Sequence, residues 1–190
     1  MKPAFALILL VAGCATPTAE PPPTFFANLS ALCGKAFEGR IVSPPVAADA
    51  SFAGKDLVMH VSNCTADSIR IPFHVGDDHS RTWIVTRNTI GYRLKHDHRH
   101  ADGSEDKVTQ YGGDTVAPGT ADRQEFPADA FTRALLLREG NAAGVANIWA
   151  VEVEPARMFA YELRRPNRFF RVEFDLTRPV APPPPPWGLR

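Results

Sequence analysis

Three histidines occupy alternate positions in one short segment, Tyr92-Arg93-Leu94-Lys95-His96-Asp97-His98-Arg99-His100. Successive residues of a β-strand point to opposite faces. In an extended conformation Arg93, Lys95, Asp97 and Arg99 share one face, and Tyr92, Leu94, His96, His98 and His100 share the other. A wholly charged face belongs in solvent. The spacing therefore predicts that the histidine face turns inward or toward the mouth of a cavity. Histidines two apart on one face are separated by about 6.6 Å along the strand. Neutral imidazoles so placed can converge on a divalent transition metal such as zinc, at about 2.0–2.1 Å per nitrogen. The stripe is a candidate site for a metal ion or a small ligand. The alternatives are histidines solvated near a hairpin end, or histidines hydrogen-bonded within a core. His74, in Phe73-His74-Val75-Gly76-Asp77-Asp78-His79, is a further candidate ligand from one strand earlier, whereas His60 reads as a lone strand residue.

Such His-x-His pairs resemble those on strands of carbonic anhydrases and cupins. The likeness to the first cupin motif runs through His98-x-His100, four residues, Glu105, six residues and Gly112, with Gly91 one position early. It implies Glu105 as another metal ligand. Gly113-Asp114-Thr115-Val116-Ala117-Pro118-Gly119 is similar to a compressed second motif, which should bring one more histidine, and no histidine follows Pro118. A cupin-like metal-dependent enzyme is accordingly the lesser alternative. No nucleophile elbow, phosphate-binding loop or dinucleotide-binding glycine fingerprint occurs. Arg164, Arg165, Arg168 and Arg171 flank the last turn, and the acids interspersed among them predict a solvated surface and not an anion site.

The elements that must position the stripe are mostly strands. Phe25 to Cys33 reads as a short helix stopped by Gly34, followed by strand candidates at 36–42, 57–61, 69–75 and 82–87. Asn88-Thr89-Ile90-Gly91 makes a tight hairpin into Tyr92–His100, and Ala101-Asp102-Gly103-Ser104 turns the chain toward a strand at 107–111. One amphipathic helix is expected over Pro127–Glu139, with Phe131, Leu135 and Leu136 on its apolar side. Strands at 147–153, 159–164 and 169–176 follow. The last alternates cleanly, with Phe170, Val172, Phe174 and Leu176 facing one way. Short strands, hairpin connections and little helix indicate an all-β, mainly antiparallel domain over 25–180, either a barrel or a sandwich. Leu29-Ser30-Ala31-Leu32 running into Gly34-Lys35-Ala36-Phe37 resembles the opening of calycin-type barrels. There a helical turn precedes a Gly-x-Trp strand that plugs the barrel floor, although here the aromatic is Phe37 and one residue late. The resemblance implies a barrel.

The ends of the chain are different in kind. Lys2, the apolar run Ala4–Val11 and Val11-Ala12-Gly13-Cys14 read as a secretory signal over 1–13 that ends in a lipobox. This resembles bacterial lipoprotein precursors and implies that Cys14 carries the lipid, a membrane anchor held by more than one acyl chain. Ala15 follows the cysteine where an aspartate would, by the same resemblance, retain the protein in the inner membrane. That favours the outer membrane, with the domain facing the periplasm. Residues 14–24 form a proline-rich tether, and 181–190 a tail with an unbroken Pro182–Pro186 run before Trp187. The tail is either a strap across the domain or a ligand for an aromatic groove.

Twenty-one basic residues balance twenty-one acidic ones, so nothing marks a nucleic-acid partner. With Cys14 taken by lipid, Cys33 and Cys64 remain as an even pair in an oxidising compartment, and a disulfide is expected. The reading is a lipid-anchored envelope protein whose β-domain binds a small ligand or metal ion on its histidine face. The alternative is a non-catalytic accessory lipoprotein that docks another protein.

Overall fold

The computed structural model describes residues 24–189. The expected signal segment, Cys14 and most of the tether lie outside the described residues. Thr24 starts the first helix, its hydroxyl accepting the Ala27 N–H at 3.2 Å. This helix, α1 (Phe25–Ser30), buries Phe25, Phe26 and Leu29. It is shorter than expected, because the chain turns through residues 31–34 and leaves by Gly34 at φ +80°.

Strands then dominate: β1 (Ala36–Ile41), β2 (Leu57–His60), the two-residue β3 (Asn63–Cys64), β4 (Ser68–Val75), β5 (Asp78–Asn88), β6 (Gly91–His98) and β7 (Tyr111–Asp114). After β8 (Arg123–Pro127) comes α2 (Ala130–Arg138), and then β9 (Ile148–Glu154), β10 (Met158–Arg165) and β11 (Arg168–Val180). The order in the sheet is β7-β6-β5-β4-β2-β1-β11-β10-β9-β8, all pairs antiparallel, with β3 a side branch on β4. Strands therefore pair with their neighbours in sequence, and β1 joins β2 to β11. The result is an all-β, nearly closed antiparallel barrel of up-and-down type. This is the architecture that the calycin resemblance implies, and it departs from the jelly-roll order of cupins.

The barrel closes between β7 and β8 by close backbone approach and not by a ladder. The Asp129 N–H donates to the Gly112 carbonyl at 3.0 Å. The Gly112 N–H donates to the Thr132 hydroxyl at 2.7 Å, and that hydroxyl donates back to the Gly112 carbonyl at 2.8 Å. A Cβ on Gly113 would fall on the Pro127 carbonyl, and one on Gly112 on the Leu94 carbonyl, so only glycine fits the seam. Asp129 also caps α2, accepting the Thr132 N–H at 2.8 Å. The buried stripe of α2 is Thr132, Leu135 and Leu136. Phe131, expected on that stripe, lies at its edge and is 54% exposed, its ring beneath the Lys95 ammonium.

The core lies inside the barrel, with Phe37, Ile71, Trp83, Phe159, Val172 and Phe174 fully buried. Each contributes on the order of 1.5–3 kcal/mol by leaving water. Cys33 and Cys64 are bonded, tying the turn after α1 to β3. Outside β8–β11, carboxylates and guanidinia alternate across the strands: Glu152 accepts from Arg123 at 3.1 Å and from Arg171 at 2.9 Å. Among the described residues no helix is long and apolar enough to cross a membrane. The tail runs back over the barrel, where the Trp187 N–H donates to the His79 carbonyl at 3.0 Å.

Candidate functional site

The two ends of the barrel differ. At one end the hairpin between β5 and β6 meets α1, where Tyr92 packs edge-on to Phe25 and parallel to Phe26, with centroids 5.2 and 6.3 Å away. Arg87 covers Phe26 from outside. That end is a closed floor. At the opposite end β6 finishes at His98, β7 begins at Tyr111, and the β10–β11 hairpin turns at Pro166-Asn167. A cavity of about 310 Å³ opens there.

Its inner wall is aromatic. Trp83 stacks on Phe73 at 4.7 Å and on Tyr161 at 4.4 Å, and His96 stacks on Tyr111 at 4.4 Å with Trp149 beside it at 5.2 Å. These side chains converge because each sits on an inward-facing strand position near the same end of its strand. Polar groups ring the opening: His98 and Arg81 on one side, Asp106 on the loop before β7, and Arg165 and Arg168 on the β10–β11 hairpin.

His96 is 2% exposed, and both its nitrogens are engaged. The Tyr111 carbonyl, 3.0 Å from Nδ1, can only accept, so Nδ1 carries the proton. Nε2 then accepts from the Tyr161 hydroxyl at 2.7 Å. Burial pushes the His96 pKa down to about 3, helped by neighbouring His98 and opposed by the Tyr111 carbonyl. His98 pairs through Nε2 with the Tyr111 hydroxyl at 3.1 Å. Its pKa is lowered to about 4, by burial first and by Arg81 second. Burial raises both tyrosine hydroxyls above their ordinary range. At neutral pH this cluster consists of neutral rings and neutral hydroxyls.

The inward turn of His96 and His98 follows the alternation, but the stripe stops there. His100 has left the strand, is exposed, and faces Asp106 with Nε2 3.7 Å from the carboxylate. The opposite face of β6 is also drier than expected. Asp97 is buried, accepting from Arg70 at 2.8 Å, Arg99 at 3.0 Å and Gln110 at 3.1 Å. Lys95 pairs with Asp129 at 2.6 Å; of that face only Arg93, on Asp114, is exposed. The expected strand at 107–111 is corrected to Tyr111–Asp114. Side chains capture the backbone before it, Asp106 accepting from the Val108 N–H and Thr109 from the His98 N–H.

Glu105 does not join the histidines. It bridges to Arg99 in the loop, with its carboxylate at 2.9 Å from the guanidinium. His74 lies in a bulge of β4, 3% exposed, with neither ring nitrogen hydrogen-bonded among the described residues. Its neighbour is His79, at 4.5 Å between rings, and not the cavity; burial and then His79 lower its pKa to about 4. Among the described residues no three metal-ligating side chains converge. The donor set expected for zinc does not fit a metal ion, since both His96 nitrogens are spent and His100, Glu105 and His74 point elsewhere.

Sequence reasoning placed Arg165 and Arg168 on a solvated surface, and both line the cavity instead. The signal was in the alternation. Tyr161, Leu163 and Arg165 share the inward parity of β10, as Arg168, Phe170 and Val172 share that of β11, whereas Arg164 and Arg171 point out to Glu125 and Glu152. No protein family, curated protein or solved structure matches this chain.

Proposed function

We propose that the protein is a lipid-anchored envelope protein whose barrel binds a small organic molecule at its open mouth. The observation that carries this reading is the cavity of about 310 Å³, walled by Trp83, Trp149, Tyr161 and Phe73 and edged by a few polar groups. Its size stands at the lower end of small-molecule sites, and an apolar wall with sparse, placed polar groups is what such sites present. An organic ligand suits it better than a metal ion, because the imidazole of His96 is held as a fixed, neutral donor–acceptor. Anchoring at Cys14 would keep such a binding domain at the membrane surface, on the periplasmic face of the outer membrane.

Leu163→Trp, which fills the cavity from β10, tests the site. A panel of small aromatic compounds is titrated into wild type and variant while tryptophan fluorescence and heat are recorded. Binding by wild type and its loss in a variant with an unchanged melting temperature are expected. Absence of any binding at millimolar concentration would overturn the proposal and leave the docking of another protein as the leading role.

A further inference from the structure

Arg165 is the cation of the mouth without a carboxylate. Arg168 forms a bidentate pair with buried Asp49, and Arg81 pairs with Asp78 at 2.6 Å. Among the described residues Arg165 has no carboxylate within ion-pair distance. Its Nη1 donates to the Asn147 amide oxygen at 2.9 Å, a neutral partner that orients the guanidinium without discharging it. Asn147 is itself buried and held at the start of β9, its N–H donating to the Gly144 carbonyl. A guanidinium carries five N–H donors in a fixed plane, so one such bond leaves most of the fork available.

The charges around the opening are asymmetric. Arg165 and Arg168 stand on the β10–β11 hairpin, and the single acidic residue of the lining, Asp106, stands across the mouth on the loop before β7. Asp106 is already engaged, accepting the Val108 N–H at 2.7 Å and facing His100. Below the hairpin, partly exposed apolar surface continues inward over Leu163, Tyr111 and Phe52, backed by the sealed stack of Phe73, Trp83 and Tyr161. A molecule lying along this wall meets a flat apolar surface at its inner end and an uncompensated guanidinium at its outer end.

We infer that the ligand of the barrel mouth is an amphipathic monoanion, an aromatic or compact apolar body bearing a carboxylate that pairs with Arg165. This rests on the reading of the mouth as a ligand site and specifies the chemistry of its occupant. The body packs on the partly exposed apolar lining of Leu163, Tyr111 and Phe52, and the carboxylate takes the free edge of the Arg165 fork, with Asn147 holding the guanidinium in register. Charge-assisted bonds to a carboxylate are roughly twice as strong as neutral ones, and partial burial shields this one from water.

The test uses 1-naphthaleneacetate and its neutral carboxamide, which share a shape and differ in charge. Each is titrated calorimetrically into the full mature chain at low salt. Wild type should bind the carboxylate about tenfold or more tightly than the amide. Arg165→Gln should cost the carboxylate about tenfold or more and bring the two probes to comparable affinity. Arg165→Lys should restore part of the preference, since it keeps the charge and loses the planar fork. Equal affinity for both probes in wild type, or a carboxylate preference that survives in Arg165→Gln, would overturn the anion assignment and leave the site itself standing. Failure of both probes to bind wild type at millimolar concentration would overturn the site together with the assignment.

Discussion

Because His96 is neutral in the folded barrel, acid should destabilise the protein by an amount set largely by a few imidazoles. In the unfolded chain a histidine titrates near 6.5. In the barrel His96 is held at about 3, because its ring is sealed among Tyr111, Trp149 and Tyr161 with His98 alongside and Lys95 next in sequence. The folded pKa lies below the unfolded one, so the unfolded state binds more protons and stability falls as pH drops below about 6.5. Linkage puts the loss from His96 alone at about 2 kcal/mol between pH 7 and pH 5, approaching about 5 kcal/mol only near pH 3. His98 and His74, both lowered to about 4, push the same way. Against a typical total of about 5–15 kcal/mol, such losses are large. Asp114 and Glu125, whose carboxyls Arg93 and Arg164 hold below the ordinary range, also lose stability in acid, but mainly below about pH 5, where the unfolded carboxyls protonate.

The assay is urea unfolding followed by tryptophan fluorescence at pH 7 and pH 5, in wild type and in His96→Gln. A glutamine amide can donate to the Tyr111 carbonyl and accept from the Tyr161 hydroxyl, yet it does not titrate. The variant should be the less stable protein at pH 7, by about 1–2 kcal/mol for imperfect packing. Its loss between pH 7 and pH 5 should nevertheless be about 2 kcal/mol smaller than that of wild type. An identical pH dependence in the two proteins would refute the neutral, doubly bonded His96.

Three further outcomes are expected. Cys33→Ser with Cys64→Ser should cost about 3–4 kcal/mol, because the bridge closes a loop of 31 residues, and denaturant melts of the two proteins measure this. Gly113→Ala should destabilise by at least about 2 kcal/mol or prevent folding, since its Cβ meets the backbone carbonyl of Pro127; amide exchange should rise first along β7 and β8. Wild-type precursor should take up labelled fatty acid and Cys14→Ser should not, with equal labelling counting against lipid anchoring.

Much of the barrel was legible because its strands alternate against water on one face. In β11 the inward set Phe170, Val172, Phe174 and Leu176 is buried as the pattern predicts. β8 is hard to read in the sequence because Arg123-Gln124-Glu125-Phe126-Pro127 carries one large apolar residue, and the buried Gln124 is held by its amide N–H donating to the carbonyls of Pro118 and Thr120, a loop contact that periodicity does not report. The seam glycines looked like a motif and proved to be a packing device, since only the neighbouring chain shows that Gly112 and Gly113 meet Leu94 and Pro127. At the site, alternation placed His96 and His98 inward. It failed for His100 because β6 ends one step earlier, where the Arg99 side chain turns back to Asp97 and Glu105 and takes the backbone into the loop.

The site's polarity explains why Arg165, and not the histidines, should set ligand preference. A metal site needs lone pairs left free, and the barrel spends those of His96 on Tyr161 while burying the ring too deeply to protonate. What remains at the inner wall is a set of flat, neutral surfaces whose dipoles are fixed by one another, which suits recognition of shape more than transfer of a proton. Discrimination must then come from the rim, where charges survive. There Asp49 and Asp78 neutralise two of the three guanidinia and leave the third on a neutral amide. Had Asn147 been an aspartate, the mouth would hold three closed ion pairs over an aromatic well, and nothing would favour an anion over an uncharged molecule. The amide at that position keeps the charge of Arg165 available. Asn147→Asp should therefore abolish carboxylate preference as fully as Arg165→Gln does; an intact preference in that variant would show that the guanidinium does not reach the ligand.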